Sequence, residues 1–257
     1  MIFFFKKSLG QHFLRDKSTL KNIVLLRNIK NETVVEVGAG RGALTEMILN
    51  QNPRKLILIE KDKSLIPYLN KIKDKTSSIV EVIHNDALHI NFKELDLNKL
   101  LLIANLPYNI ATTLIINLMK DSNIFKSMIL MVQKEVAERL SAKVSSKAYG
   151  RISVLIQTQS IIKKCFDVSP EKFFPKPKVY SSVIEIIPRK SKNFDYPKLD
   201  AILKLSFKQR RKTLRNNLKF LDKESEKRIS NQGIDLGLRP QDIKPEEFIK
   251  LSNLLIQ

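Results

Sequence analysis

Cysteine is almost missing from this 257-residue chain. Cys165 stands alone, which rules out an internal disulfide and leaves no thiolate set for a metal cage. No apolar stretch approaches the roughly 18 residues that a membrane-spanning helix needs. The opening MIFFFKK has too short an apolar run, and the wrong charge order, for a secretory signal. Acidic residues are also scarce: 26 Asp and Glu face 46 Lys and Arg, a formal charge of +20. Hydrophobic residues nevertheless make up 43%, enough for a packed core, so the charge is not that of a disordered basic tail. These features predict a soluble cytoplasmic protein in a reducing compartment, with no metal and a polyanionic partner. Nucleic acid is favoured over an anionic membrane surface.

Short apolar runs at 33–37, 55–59, 79–83, 100–104 and 127–132 read as strands. Helical spacing separates them: up to about Leu49, over 63–73, from Thr112 to Met119 and over 134–143. That alternation predicts an α/β fold with a mostly parallel, doubly wound sheet. Segments 161–168 and 179–187 also look extended, and they flank FFPKPK (173–178), whose prolines forbid helix. They are expected to pair antiparallel at the sheet edge. Beyond Pro188 the pattern becomes helical near 198–208, 213–221, 223–231 and 245–255. The expected division is a domain over 1–190 and a small all-helical domain over 191–257. Within the latter, KQRRKTLRNNLK (208–219) carries six basic residues and no acidic one. It reads as a phosphate-contacting helix or a solvated helix face.

The run Glu36-Val37-Gly38-Ala39-Gly40-Arg41-Gly42-Ala43 follows the first of these strands and opens a helix. Such glycines let the backbone approach a ligand closely. The spacing suits a nicotinamide dinucleotide and S-adenosylmethionine equally. Glu60 closes the next strand and can accept from ribose hydroxyls. Asp86 follows the third strand and can accept from an adenine amine or cap a short helix.

Asn105-Leu106-Pro107-Tyr108 sits just past the fourth strand, at the edge where open α/β sheets bind ligands. With the E-x-G-x-G turn, it resembles the S-adenosylmethionine-dependent adenine dimethyltransferases of ribosomal RNA. The resemblance runs nearly the full length. It includes Gly10-Gln11-His12-Phe13-Leu14, Gln133-Lys134-Glu135, Lys147-Ala148-Tyr149-Gly150-Arg151, Phe174-Pro175-Lys176-Pro177-Lys178-Val179 and the block from Phe207 to Asn216. It implies a Rossmann-like catalytic domain and cofactor contacts from His12, Leu14, Gly38, Gly40, Glu60, Asp86 and Asn105. His12 replaces the asparagine of many relatives, and Ala104 a Gly or Ser. The implied reaction is dimethylation of two neighbouring adenines in the 3′-terminal hairpin of 16S rRNA, on the small ribosomal subunit, by a monomer.

An adenine amine is a poor nucleophile because its lone pair is delocalised into the ring. The Asn105 side-chain oxygen and the Pro107 carbonyl are the expected acceptors for its protons, and Tyr108 the stacking partner for the base. Phe173 or Phe174 is the expected opposite wall. Lys208, Arg210, Arg211, Lys212 and Arg215 are expected to grip RNA phosphates. Four other readings compete. A 23S rRNA methyltransferase fits the extra motifs less well. A non-catalytic assembly factor would not need Asn105, Pro107, Tyr108, Glu60 and Asp86 intact. A dehydrogenase leaves NLPY and the charge unexplained. DNA adenine methylases usually place an acidic or polar residue before two prolines.

Overall fold

The computed structural model describes residues 10–96, 99–189 and 194–255. The first strand, β1 (Phe13–Leu14), leads into α1 (Lys17–Val24), whose Asp16 cap accepts from the Thr19 N–H. The sheet then builds from β2 (Thr33–Val37), β3 (Lys55–Glu60), β4 (Ile79–His84), β5 (Leu100–Asn105) and β6 (Phe125–Gln133), parallel neighbours throughout. Helices α2 (Ala43–Leu49), α3 (Ile66–Lys73) and α4 (Ala111–Lys120) separate them. After α5 (Lys134–Leu140) and α6 (Arg151–Gln157) come β7 (Ser160–Val168), β8 (Phe173–Phe174) and β9 (Ser181–Pro188).

The sheet order is β4-β3-β2-β5-β6-β9-β7. The two extended segments expected at the sheet edge, β9 and β7, complete that edge, and β9 runs antiparallel to β6. All five residues of β2 are buried, as expected for a strand covered on both faces. Strand order reverses between β2 and β5, so the carboxyl ends of these two strands form the crevice where such sheets take ligands. Separately, β1 pairs antiparallel with β8, Phe13 opposite Phe174 and Leu14 opposite Phe173. That pairing joins the 10–14 and 173–178 motifs, which lie far apart in sequence.

The chain divides into two compact units: residues 1–137 with 163–188, and 138–162 with 189–257. A single cut at 190 thus misses an excursion. Residues 138–162 belong with the helices because the buried Tyr149 hydroxyl donates to the Ile243 carbonyl (3.0 Å) and Arg151 pairs with Asp200. The helical unit continues with α7 (Tyr196–Ser206), α8 (Leu214–Asn217), α9 (Lys223–Asn231) and α10 (Pro245–Leu255). Tyr149, Phe207 and Phe248 form an aromatic row through it, with ring centroids 6.5 and 5.6 Å apart. The expected helix over 213–221 shrinks to four residues. The basic run 208–219 is therefore a turn followed by one helical turn, not a continuous helix. Asn217 explains this. Its side-chain oxygen accepts from the Gln209 N–H, and its amide donates to the Gln209 and Thr213 carbonyls, bonds that a helix through this segment would replace. No helix among the described residues is long and apolar enough to cross a membrane.

Candidate active site

A cleft of about 880 Å³ opens where β2 and β5 end. It gathers His12, Gly38, Gly40, Glu60, Asp86, Asn105, Pro107 and Tyr108, eight of the residues singled out from sequence. Leu14 and Phe174 instead line an adjoining cavity, which shares Phe13, Gly38 and Asn105 with the first. Phe173 is 4% exposed and packs in the hydrophobic core, so it forms no wall of the cleft. The pairing of β1 with β8 leaves Phe174 as the outward ring, 44% exposed, with the Arg15 guanidinium 4.1 Å from its centroid.

The glycine turn is shaped by contact as well as by conformation. Gly40 has φ +63°, and a Cβ there would lie 2.8 Å from the Phe13 ring. Its N–H donates to Glu60 Oε2 at 2.8 Å, while Glu60 Oε1 accepts from the Asp62 N–H at 2.7 Å. Asp62 in turn accepts from the Gln11 amide (2.9 Å), which ties the amino-terminal motif to the end of β3. Burial pushes the Glu60 carboxyl above its ordinary range, against these N–H donors, and the Asp62 charge adds to the rise. Each Glu60 oxygen keeps a second lone pair for a ligand hydroxyl. At the end of β4, burial would raise Asp86. The Lys61 ammonium (2.7 Å) and the Leu88 N–H (3.0 Å) outweigh it and hold the carboxyl low. Asp86 is therefore both a helix cap and a cleft carboxylate.

Glu36 was not expected as a special residue. It is 1% exposed next to the carboxyl end of β2 and lines the adjoining cavity. Burial pushes its carboxyl up to about 8, against a hydrogen bond from the Thr45 hydroxyl (2.6 Å), and the Glu60 charge adds to the rise.

The NLPY segment is held from several directions. Asn105 Nδ2 donates to the His12 carbonyl at 3.0 Å, which sets the amide and leaves Oδ1 to accept. The Leu106 N–H donates to the Met131 carbonyl (3.1 Å), fixing this backbone to β6. The Pro107 carbonyl, expected as the second acceptor, already accepts from the Ile110 and Ala111 N–H groups (3.2 and 3.1 Å) as α4 begins. The Leu106 carbonyl, in the same cleft, has no donor among the described residues. Tyr108 donates to or accepts from Ser181 Oγ (2.6 Å), and its ring stacks on His12, centroids 5.4 Å apart at 28°. His12 Nδ1 lies 2.7 Å from the Pro175 carbonyl, so that nitrogen carries the proton. His12 thus supports both Asn105 and Tyr108. Sequence reading marked it as a cofactor contact, and nothing in the motif spacing revealed this second task.

The five predicted RNA-contacting cations lie in the helical unit and differ in state. All five are exposed, and Lys208, Arg211 and Lys212 make no ion pair among the described residues. Arg215 pairs with Glu226 at 3.3 Å. Arg210 donates through Nη2 to the Lys147 and Tyr149 carbonyls (3.1 and 2.7 Å), so one arm of its guanidinium braces the backbone.

The sequence profile of the family described as "Ribosomal RNA adenine dimethylase" matches residues 2–257. A curated relative from Ehrlichia chaffeensis, "Ribosomal RNA small subunit methyltransferase A", is 42% identical over 253 residues, covering 97% of this chain and 96% of its own. One of the same name from Wolbachia pipientis subsp. Culex pipiens is 41% identical, covering 98% and 96%. Among solved structures, a dimethyladenosine transferase from Plasmodium falciparum matches with a TM-score of 0.78 and 27% identity, over 93% of this chain and 95% of that one. The 23S rRNA methyltransferase ErmE shares the fold at a TM-score of 0.72 and 20% identity, over 95% and 100%.

Proposed function

The chain belongs to the ribosomal RNA adenine dimethylase family, and from that premise we propose that it converts two adjacent adenines in the 3′-terminal hairpin of 16S rRNA to dimethyladenine. It is an S-adenosylmethionine-dependent methyltransferase. The groups on the cleft suit that cofactor: Glu60 closes β3 with lone pairs to spare for ribose hydroxyls, and Asp86, just past β4, is an ionised acceptor for an exocyclic amine. When bound, the cofactor supplies an electrophilic methyl on a sulfonium.

The chain's own contribution is positioning. Asn105 Oδ1 and the Leu106 carbonyl are two acceptors on successive residues, and together they draw the two amine protons and favour a pyramidal nitrogen. Tyr108, backed by His12 on one face, offers its other face to the base. Such stacking contributes roughly 1–3 kcal/mol and helps offset the few kcal/mol needed to extrude a nucleotide. No strong general base is needed, because the amine proton becomes acidic once nitrogen carries the new methyl. The 138–162 and 189–257 unit, with its exposed Lys208, Arg211 and Lys212, is proposed to hold RNA phosphates, and the protein to act as a cytoplasmic monomer.

The observation that carries this reading is the amide of Asn105, oriented by His12 so that an acceptor is left over in the cleft. Incubation with radiolabelled cofactor and small ribosomal subunits lacking the modification tests it. The label is expected on two neighbouring adenines near the 16S 3′ end. Label on 23S rRNA alone, or none, refutes it.

A further inference from the structure

The motif Lys147-Ala148-Tyr149-Gly150-Arg151 does not line the cleft, yet its loop is fixed from several sides. Ser145 takes φ +67°, and its N–H donates to the Gln241 carbonyl at 2.8 Å. The Tyr149 ring is buried, its hydroxyl on the Ile243 carbonyl. From the other side Arg210 reaches the carbonyls of Lys147 and Tyr149. The loop bearing Arg210 is itself tied to Asn217 through the Gln209 N–H (2.9 Å) and the Gln209 carbonyl (3.1 Å).

Two loops some sixty residues apart are thereby locked together. They present Lys143 and Lys147 on one loop and Lys208, Arg211 and Lys212 on the other, all exposed. None of these five has an acidic partner among the described residues. Elsewhere in the same unit Arg151 and Lys204 share Asp200 and Arg215 holds Glu226, while Lys219, Lys223 and Lys250 also lack an ion pair among the described residues, so what sets the five apart is the bonding that locks their two loops together. Five unneutralised cations on a rigid two-loop platform are suited to a phosphate backbone, where each contact releases counterions and a preset geometry limits the ordering cost.

We propose that the RNA-binding surface of the helical unit is this two-loop clamp, with Lys143 and Lys147 as phosphate contacts and Arg210 as its positioning strut. The inference rests on the rRNA reading above. Both carbonyls are reached by the two N–H groups of one guanidinium nitrogen, Nη2, held in plane at the end of the side chain, whereas a lysine ammonium is a rotating point charge that stops short of that position. Arg210→Lys therefore keeps the charge and loses the strut.

The test measures binding to small subunits lacking the modification across a potassium chloride series at fixed magnesium. Lys143→Gln/Lys147→Gln is expected to weaken binding ~10-fold or more at 0.1 M salt and to reduce the slope of log K against log salt by about 1.4–1.8. Its affinity for S-adenosylhomocysteine should stay unchanged. Arg210→Lys is expected to bind subunits as weakly as Arg210→Gln, with faster amide exchange over 143–149 in both. A double-lysine variant with wild-type slope overturns the clamp. So does Arg210→Lys at wild-type affinity beside a weakened Arg210→Gln. If the Arg210 variants unfold on a thermal melt, the surface lysine pair decides. Wild-type protein that fails to bind subunits at all refutes the rRNA reading itself, a result distinct from an unaltered variant.

Discussion

Glu36→Gln isolates a carboxyl that the fold holds in its neutral form. Glu36 is 1% exposed, and its carboxyl is pushed to about 8 from an ordinary 4.5. Between those values the folded protein keeps a proton that the unfolded chain releases, so stability falls as pH rises through this window. The fall approaches a tenfold change in the folding equilibrium per pH unit. It accumulates to roughly 5 kcal/mol at most and levels off above pH 8, where both states are ionised. Glutamine accepts from Thr45 as the acid does, but its buried NH₂ needs an acceptor and costs about 1–3 kcal/mol at every pH. That cost shifts the variant by a constant, and the other titrating groups are common to both proteins. The difference in unfolding free energy, measured by urea denaturation at half-unit steps from pH 5 to 9, therefore reports Glu36 together with its coupling to Glu60. Wild type should lead or match at pH 5 and lose ground steadily toward pH 8. Parallel curves across that range would mean that Glu36 is ionised in the folded protein and that its burial has been misjudged.

Three further outcomes follow from the cleft. Asn105→Ala should lower kcat about 10²- to 10³-fold, the scale of one lost transition-state hydrogen bond, and change S-adenosylhomocysteine affinity only severalfold by calorimetry; activity within tenfold of wild type removes Asn105 from the amine clamp. Gly40→Ala should cost about 1–3 kcal/mol by chemical denaturation and abolish cofactor binding, because φ +63° and a Cβ 2.8 Å from the Phe13 ring cannot both be accommodated; unchanged binding refutes the close-approach argument. Tyr108→Phe, which loses only the Ser181 bond, should retain most activity, whereas Tyr108→Ala should lose roughly 1–3 kcal/mol in kcat/KM for RNA; equal losses in single-turnover assays would tie the role to the hydroxyl and not the ring.

The parallel strands were legible because β2, β3 and β5 are nearly continuous apolar runs that end in a glycine or a polar residue at the ligand edge. Glu60, Asp86 and Asn105 followed from that edge. Helix α6 was not legible: Arg-Ile-Ser-Val-Leu-Ile-Gln is rich in β-branched residues, and burial of Val154, Leu155 and Ile156 decides its state. Phe173 and Phe174 could not be told apart, because a two-residue strand inverts its faces with a one-residue slip, and only pairing with Leu14 and Phe13 fixes which ring is inside. Pro107 was misassigned for a different reason. Counting acceptors requires knowing that α4 begins at Ala111, whose N–H takes the Pro107 carbonyl and leaves that of Leu106 over. Arg210 looked like its neighbours in a basic run, and only the carbonyls of Lys147 and Tyr149, about sixty residues earlier, distinguish it.

The charge of +20 invites the view that electrostatics governs every binding step, and the cleft argues otherwise. There Lys61 is spent on Asp86, Glu60 is held by backbone N–H groups, and the groups offered to a base are a side-chain amide, a peptide carbonyl and a ring. Neutral and already paired groups discriminate through geometry, and their worth changes little with ionic strength. Five exposed cations without an acidic partner among the described residues lie on the loops that Arg210 joins, and on the clamp proposed above counterion release sets the affinity and gives no preference among bases. Grip and selection are thus assigned to different physical forces on different segments of the chain. It follows that salt should weaken hold on the RNA while leaving the discrimination of adenine from other bases, once one is in the cleft, nearly intact.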